Sequence, residues 1–195
     1  MGTNFGRRLR LDLVDIFWEM RIPSSWKESK TVLLFKKGDK EDLKNYRPIS
    51  LLSHIYKLFS KILTNRLTKQ LDEQQSREQA AFRKHFRTTD NLFVLNQLLE
   101  RIREYKLPLC LLFIDYEKAF DSVELNAVLR ALVEQGIDAN YVELIKYANT
   151  GCSTNIKLFH RDVKIPIGKG VRHGDPISPK LFTACLEMVF QRMNY

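Results

Sequence analysis

Apolar residues at helical spacing alternate along the chain with short β-rich or wholly apolar runs. Leu9, Leu13, Phe17 and Met20 predict an amphipathic helix over 9–20, ended by Pro23 and Ser24-Ser25. Residues 31–35 (TVLLF) read as a strand, and 36–46 as a polar connection with turn signals at Gly38 and Asp39. Pro48 blocks helix at Arg47. A long helix is then expected over about 51–71, its stripe formed by Leu52, Ile55, Leu58, Phe59, Ile62, Leu63 and Leu67. A loop carries Gln79 to Arg83. The next helix starts near a cap at Thr89-Asp90 and runs to about 105, turning Leu92, Leu95, Leu98, Leu99 and Ile102 inward.

Residues 109–114 are apolar at every position, which predicts a strand covered on both faces. Two helices follow, over 124–135 stopped by Gly136 and over 139–149 capped by Asp138. Residues 155–159 and 163–167 flank His160-Arg161-Asp162 as a hairpin. Ser178 as cap and Pro179 in the first turn open a last helix reaching towards Arg192. This order of elements describes a mixed α/β (α+β) layered fold with no internal repeat.

With 195 residues, 44% of them hydrophobic, the chain can bury a sizeable core, which argues against global disorder. The longest apolar run is far too short to span a bilayer, and charges at Arg7, Arg8, Arg10, Asp12 and Asp15 break any leader pattern. An intracellular protein, in nucleus or cytoplasm, with no membrane partner and with buried reduced thiols at Cys110, Cys152 and Cys185 is therefore expected. The net charge of +9 points to a polyanionic partner, nucleic acid first. The excess is concentrated between Lys27 and Lys69, where eleven Lys and Arg meet only Glu28, Asp39, Glu41 and Asp42. A solvated helix face accounts for Lys61, Arg66 and Lys69, but less well for Lys36, Lys37 and Arg47 beside a post-strand loop.

Asp115 directly follows the apolar run, where desolvation is partial and a hard cation such as Mg²⁺ would be held with substrate phosphate oxygens. A turn-capping role is the alternative. Asp121 precedes a helix and reads as a cap rather than a metal ligand. Gly168, Gly170 and Gly174 would let backbone approach a ligand, with the Ser178 helix start offering N–H groups to an anion; an ordinary loop entering a helix is the other reading.

Six motifs occur in order: Lys36-Lys37-Gly38-Asp39, Asn45 to Leu52 (NYRPISLL), Tyr56-Lys57-Leu58, Gln79 to Arg83, Phe113 to Asp121, and Gly170 to Pro179. Together they closely resemble the reverse transcriptase of non-LTR (LINE-type) retrotransposons. The resemblance implies an incomplete right-hand polymerase with no thumb, residues 1–105 being a fingers-like region and 106–195 a partial palm. It implies Asp115 as the first metal-binding aspartate, for Mg²⁺ or Mn²⁺, and Phe120 as a steric gate against a ribose 2′-OH. Lys37 (or Lys36) and Arg47 are implied to hold the triphosphate, with Tyr116, His173 and Gly174 also beside the nucleotide. Arg83, Arg172 and Ser178 are expected on nucleic acid. The implied partners are an RNA template, a DNA primer and deoxynucleoside triphosphates.

Three departures from the family stand out. His173 replaces the usual Gln. Ala81 stands where the family has Gly; if that site needs positive φ, Ala costs on the order of 1 kcal/mol. The chain also reaches Tyr195 without an aromatic-x-Asp-Asp motif or any Asp-Asp pair. The expectation is that this polypeptide alone is not a competent polymerase, a nucleic-acid-binding module or a decayed remnant being the alternatives.

Overall fold

The computed structural model describes residues 15–16, 19–158 and 161–193. Most of the helix expected over 9–20 lies outside the described residues, as does His160 of the expected hairpin turn, whereas Arg161 and Asp162 of that turn belong to a strand and pair with Leu158 and Lys157. Among those described, four strands form one sheet and six α-helices accompany it. No helix is long and apolar enough to cross a membrane.

Strand β1 (Glu28–Phe35) is flanked on one side by β2 (Tyr46–Leu51), antiparallel from Lys30↔Leu51 to Phe35↔Tyr46. On its other side lies β3 (Ser153–Leu158), parallel from Glu28↔Ser153 to Thr31↔Ile156. β3 turns back into β4 (Arg161–Pro166), giving the order β2-β1-β3-β4. β2 was not expected, because Pro48 reads as a breaker. It sits opposite Leu33 on an edge strand, where one side of the backbone needs no partner and a missing N–H is tolerated.

Helix α1 (His54–Gln74) buries Tyr56, Phe59, Ser60, Leu63, Thr64, Leu67 and Leu71. This stripe is rotated from the expected one, leaving Ile55 and Leu58 over 40% exposed. The rotation turns the hydroxyls of Tyr56 and Ser60 onto the buried carboxylate of Asp175. A polar partner thus outweighs the burial of two aliphatic side chains.

Helices α4 (Leu125–Glu134), α5 (Ala139–Asn149) and α6 (Ser178–Arg192) complete the core with Val128, Leu132, Leu144, Ile145, Leu181 and Ala184. The Asp138 side chain accepts from the Asn140 N–H at 2.9 Å, as its capping role predicts. Gln75 donates to Thr183 Oγ1 and Gln135 to the Ala184 carbonyl, both at 2.8 Å, so the buried face of α6 is tied by polar as well as apolar contacts. Trp26 packs on Tyr56 and Phe59, with ring centroids 5.8 and 5.2 Å away.

Two expectations fail on one stretch. Helix α2 (Thr88–Tyr105) forms, with Asp90 reaching back to the Arg87 N–H, but none of its residues is buried. Residues 107–116 form no strand: Leu112 is 82% and Phe113 78% exposed. An all-apolar run records a need for strand partners on both sides, and the described residues supply none. Cys110 on this stretch is exposed rather than buried, whereas Cys152 and Cys185 are buried as expected.

Candidate nucleotide site

The loop between β4 and α6 is fixed by backbone contacts on both sides. The Gly170 N–H donates to the Val123 carbonyl at 2.7 Å and the Val171 N–H to Phe120 at 2.8 Å. This ties the loop to the one-turn helix α3 (Ala119–Ser122). Farther along, the Ser50 N–H of β2 donates to the His173 carbonyl at 3.3 Å. Gly170 and Gly174 both have φ near +93°, and an added Cβ would lie 2.9 Å from the Asp121 carbonyl and 3.0 Å from the Ser50 carbonyl, respectively. At both positions the glycine lets the chain approach its own backbone, as an ordinary loop entering a helix would require, and Gly174 also borders the cavity described below.

Beneath the loop lies a buried polar network. The guanidinium of Arg172 stands 3.4 Å from the Asp175 carboxylate, and both side chains are nearly inaccessible. Arg172 also donates to the Tyr56 hydroxyl and to the carbonyls of Trp26 (3.2 Å) and Ala148 (3.3 Å). Tyr56 donates to Asp175 at 2.6 Å, and Ser60 donates to the other carboxylate oxygen. Burial, reinforced by the Asp175 charge, pushes the Tyr56 phenol well above its ordinary value. Arg172, expected on nucleic acid, is thus engaged inside the protein through its terminal nitrogens, while its Nε has no partner among the described residues and its side chain borders the cavity described next. Ser178 is also buried, and it is the first residue of α6 rather than its cap, which falls at Ile177. The open anion-binding helix start is therefore absent at that residue.

Above this network, a cavity of about 360 Å³ is lined by Arg47, Phe82, Phe120, His173, Gly174 and the Pro176–Pro179 turn, among others. Phe120 stacks on Phe182 with centroids 4.9 Å apart and planes 17° apart, meets Phe82 edge-on at 5.9 Å, and lies 5.3 Å from the His173 ring. Its ring is held on three sides and still borders the cavity. A larger groove of about 590 Å³ adjoins it through Phe82, Pro176 and Pro179, and is lined by Lys61, Lys69, Lys84 and Lys180. Lys180 is itself buried and paired with Asp72.

The chain matches the profile of the family described as reverse transcriptase (RNA-dependent DNA polymerase) over residues 35–195. It belongs to that family. It is 33% identical over 96% of its length to a transposon TX1 uncharacterized 149 kDa protein of Xenopus laevis. It is also 32% identical over 85% of its length to a retrovirus-related Pol polyprotein from the type-1 retrotransposable element R2 of Popillia japonica. A corresponding R2 polyprotein of Nasonia vitripennis is 29% identical over 91% of the chain. The matched region spans only 14%, 23% and 17% of those relatives, respectively. This is a reverse transcriptase domain of the non-LTR retrotransposon kind.

Of the residues expected in this reverse transcriptase to face a nucleotide, Arg47, Phe120, His173 and Gly174 come together at one cavity. Lys36 and Lys37 lie exposed in the β1–β2 connection and do not line it. Asp115 and Tyr116 lie on the exposed stretch after α2, also outside the lining. Asp115 makes no hydrogen bond or ion pair among the described residues. Arg83 bonds the carbonyls of Ser76, Gln79 and Asp72 and sits over the Phe86 ring, so it closes the turn after α1 instead of reaching outward. The backbone at Ala81 is not left-handed; positive φ falls on the next residue, Phe82 (58°), so the cost foreseen for Ala81 does not arise. No cluster of three His, Cys, Asp or Glu able to hold a metal occurs among the described residues. One exposed carboxylate does not fit a two-metal centre. Phe82, Tyr56 and Asp175 escaped the sequence reading as site residues, although Tyr56 and the Gly-Asp-Pro step stood inside motifs that were recognised.

Proposed function

We propose that the chain is the nucleotide-handling portion of a LINE-type RNA-directed DNA polymerase, residues 1–105 fingers-like and 106–195 part of the palm. The convergence of Arg47 from β2, Phe120 from α3, and His173 and Gly174 from the loop before α6 on one cavity supports this most strongly. The substrates are a deoxynucleoside triphosphate, an RNA template and a DNA primer. In the full reaction the primer 3′-OH attacks the α-phosphate and pyrophosphate leaves. Arg47 supplies positive charge for the leaving phosphates, where a guanidinium gives paired donors to phosphate oxygens. Phe120, braced by Phe182 and Phe82, presents a flat ring edge to the sugar and excludes a 2′-OH.

Mg²⁺ or Mn²⁺ is the expected cofactor of the whole enzyme. The described residues offer Asp115 alone from the expected metal-binding set, so these 195 residues by themselves do not carry out phosphoryl transfer, which depends on metal positioning. The test is twofold. Primer extension on an RNA template with Mg²⁺ yields no product from this chain, whereas dTTP binds and weakens roughly tenfold with Arg47→Glu. Extension that Asp115→Ala abolishes, or dTTP binding indifferent to Arg47→Glu, overturns the reading.

The lysine-lined groove next to the cavity favours a second, non-catalytic reading, retention of RNA or an RNA–DNA hybrid. It predicts affinity that falls steeply with salt and is insensitive to Asp115→Ala. Binding unchanged between low and physiological salt contradicts it.

A further inference from the structure

His173 departs from the family pattern, and its surroundings show what replaces the missing carboxamide. Its Nε2 lies 3.2 Å from Asp121 Oδ1, the imidazole side chain 23% and the carboxylate 45% exposed. The same ring faces Phe120 with planes 35° apart. The two partners are brought to this distance by backbone: the N–H groups of Gly170 and Val171 donate to the carbonyls of Val123 and Phe120, on either side of Asp121, and the His173 carbonyl accepts from the Ser50 N–H. His173 borders both the 360 Å³ cavity and a smaller one of about 140 Å³, and Asp121 lines the smaller one only.

We propose that Asp121 is a positioning residue for nucleotide binding: it holds the proton on His173 Nε2 and the ring against Phe120, leaving Nδ1 as the acceptor for a hydroxyl of the deoxynucleotide sugar. An unsupported imidazole exchanges its proton between two nitrogens and so presents the wrong one part of the time. A glutamine carries donor and acceptor on one amide and needs no such support. Asp121 matters only because residue 173 is histidine. Asp121 itself does not touch the substrate in this arrangement. The inference rests on the nucleotide reading of the cavity given above.

A double-mutant cycle on the full 195-residue chain tests it, with dTTP titrated in Mg²⁺ buffer and the His173 tautomer read from imidazole ¹⁵N shifts. Asp121→Ala should weaken dTTP binding roughly tenfold, the scale of one charge-assisted hydrogen bond. It should also turn a fixed Nε2–H tautomer into a mixture. In a His173→Gln background, Asp121→Ala should change dTTP binding less than about twofold. An equal loss in both backgrounds, or a tautomer unmoved by Asp121→Ala, overturns the positioning role alone. A wild-type chain that binds no dTTP overturns the cavity's nucleotide reading and this inference with it.

Discussion

The helices α1, α4, α5 and α6 and the stretch 88–116 both carry the apolar patterns that predict burial, yet only the first group is buried. Phe59, Leu71, Leu132 and Leu144 are inaccessible, whereas Leu112, Phe113 and Ile114 are more than 60% exposed. Sequence contrast does not explain the difference. The helices find partners within the described chain, and the run ending at Asp115 does not. The loop carrying His173 belongs with the first group, because Arg172 and Asp175 anchor it to α1. One wall of the proposed nucleotide cavity is consequently anchored to the core, while the residue expected to bind metal sits on an unsupported segment.

Removing an anchor should have the largest effect. Asp175→Ala leaves Arg172 buried without its counter-charge and should cost about 3–5 kcal/mol in urea unfolding. Phe113→Ser, on the exposed stretch, should stay within about 0.5 kcal/mol. Comparable losses from the two would erase the contrast between the regions.

Gly170→Ala comes next. It forces a side chain into left-handed backbone against the Asp121 carbonyl and should cost about 2–3 kcal/mol, whereas Gly151→Ala, also at positive φ but in open space, should cost only about 1 kcal/mol. If the two glycines behave alike in thermal melts, the loop is not clamped to α3 as described.

Alkaline pH gives a smaller effect confined to the packed region. Burial raises the Cys185 thiol from 9.0 to about 11 and pushes the Tyr56 phenol upward as well. Both remain protonated in the folded chain where the unfolded chain has begun to ionise. Stability is therefore undiminished below pH 9 and falls as pH climbs through the thiol's folded value, by on the order of 1–2 kcal/mol from Cys185. Cys110, exposed, should meanwhile react with iodoacetamide at pH 8 well before Cys185. Equal alkylation rates would contradict the burial difference.

Local chemistry made α4 and α5 readable, since Asp138 and Gly136 mark their ends whatever packs around them. The β3–β4 hairpin was readable for similar reasons. β2 was hidden because a proline's tolerance depends on which strand lies at the edge, a property of the whole sheet. The rotated face of α1 was hidden because only the fold brings Asp175 to Tyr56 and Ser60. At the site, Arg47, Phe120, His173 and Gly174 were found through motif resemblance, since nothing local to each residue announces a shared cavity. The burial of Arg172 was hidden because an arginine in a basic chain looks available to phosphate until its buried carboxylate is seen. Asp121 shows the reverse: its helix-capping reading gave no hint of the histidine 52 positions away, which only the loop's backbone contacts bring within reach.

Amide hydrogen exchange on the 195-residue chain separates the two regions most directly. Amides of 110–115 should exchange at nearly unprotected rates at pH 7, while those in the middle of α6, including Leu181 to Met188, should be slowed at least about a thousandfold, up to the limit set by global unfolding. Protection of 110–115 equal to that of α6 would mean that the stretch bearing Asp115 is paired after all, and would contradict the division between an assembled wall of the proposed nucleotide cavity and an unsupported Asp115.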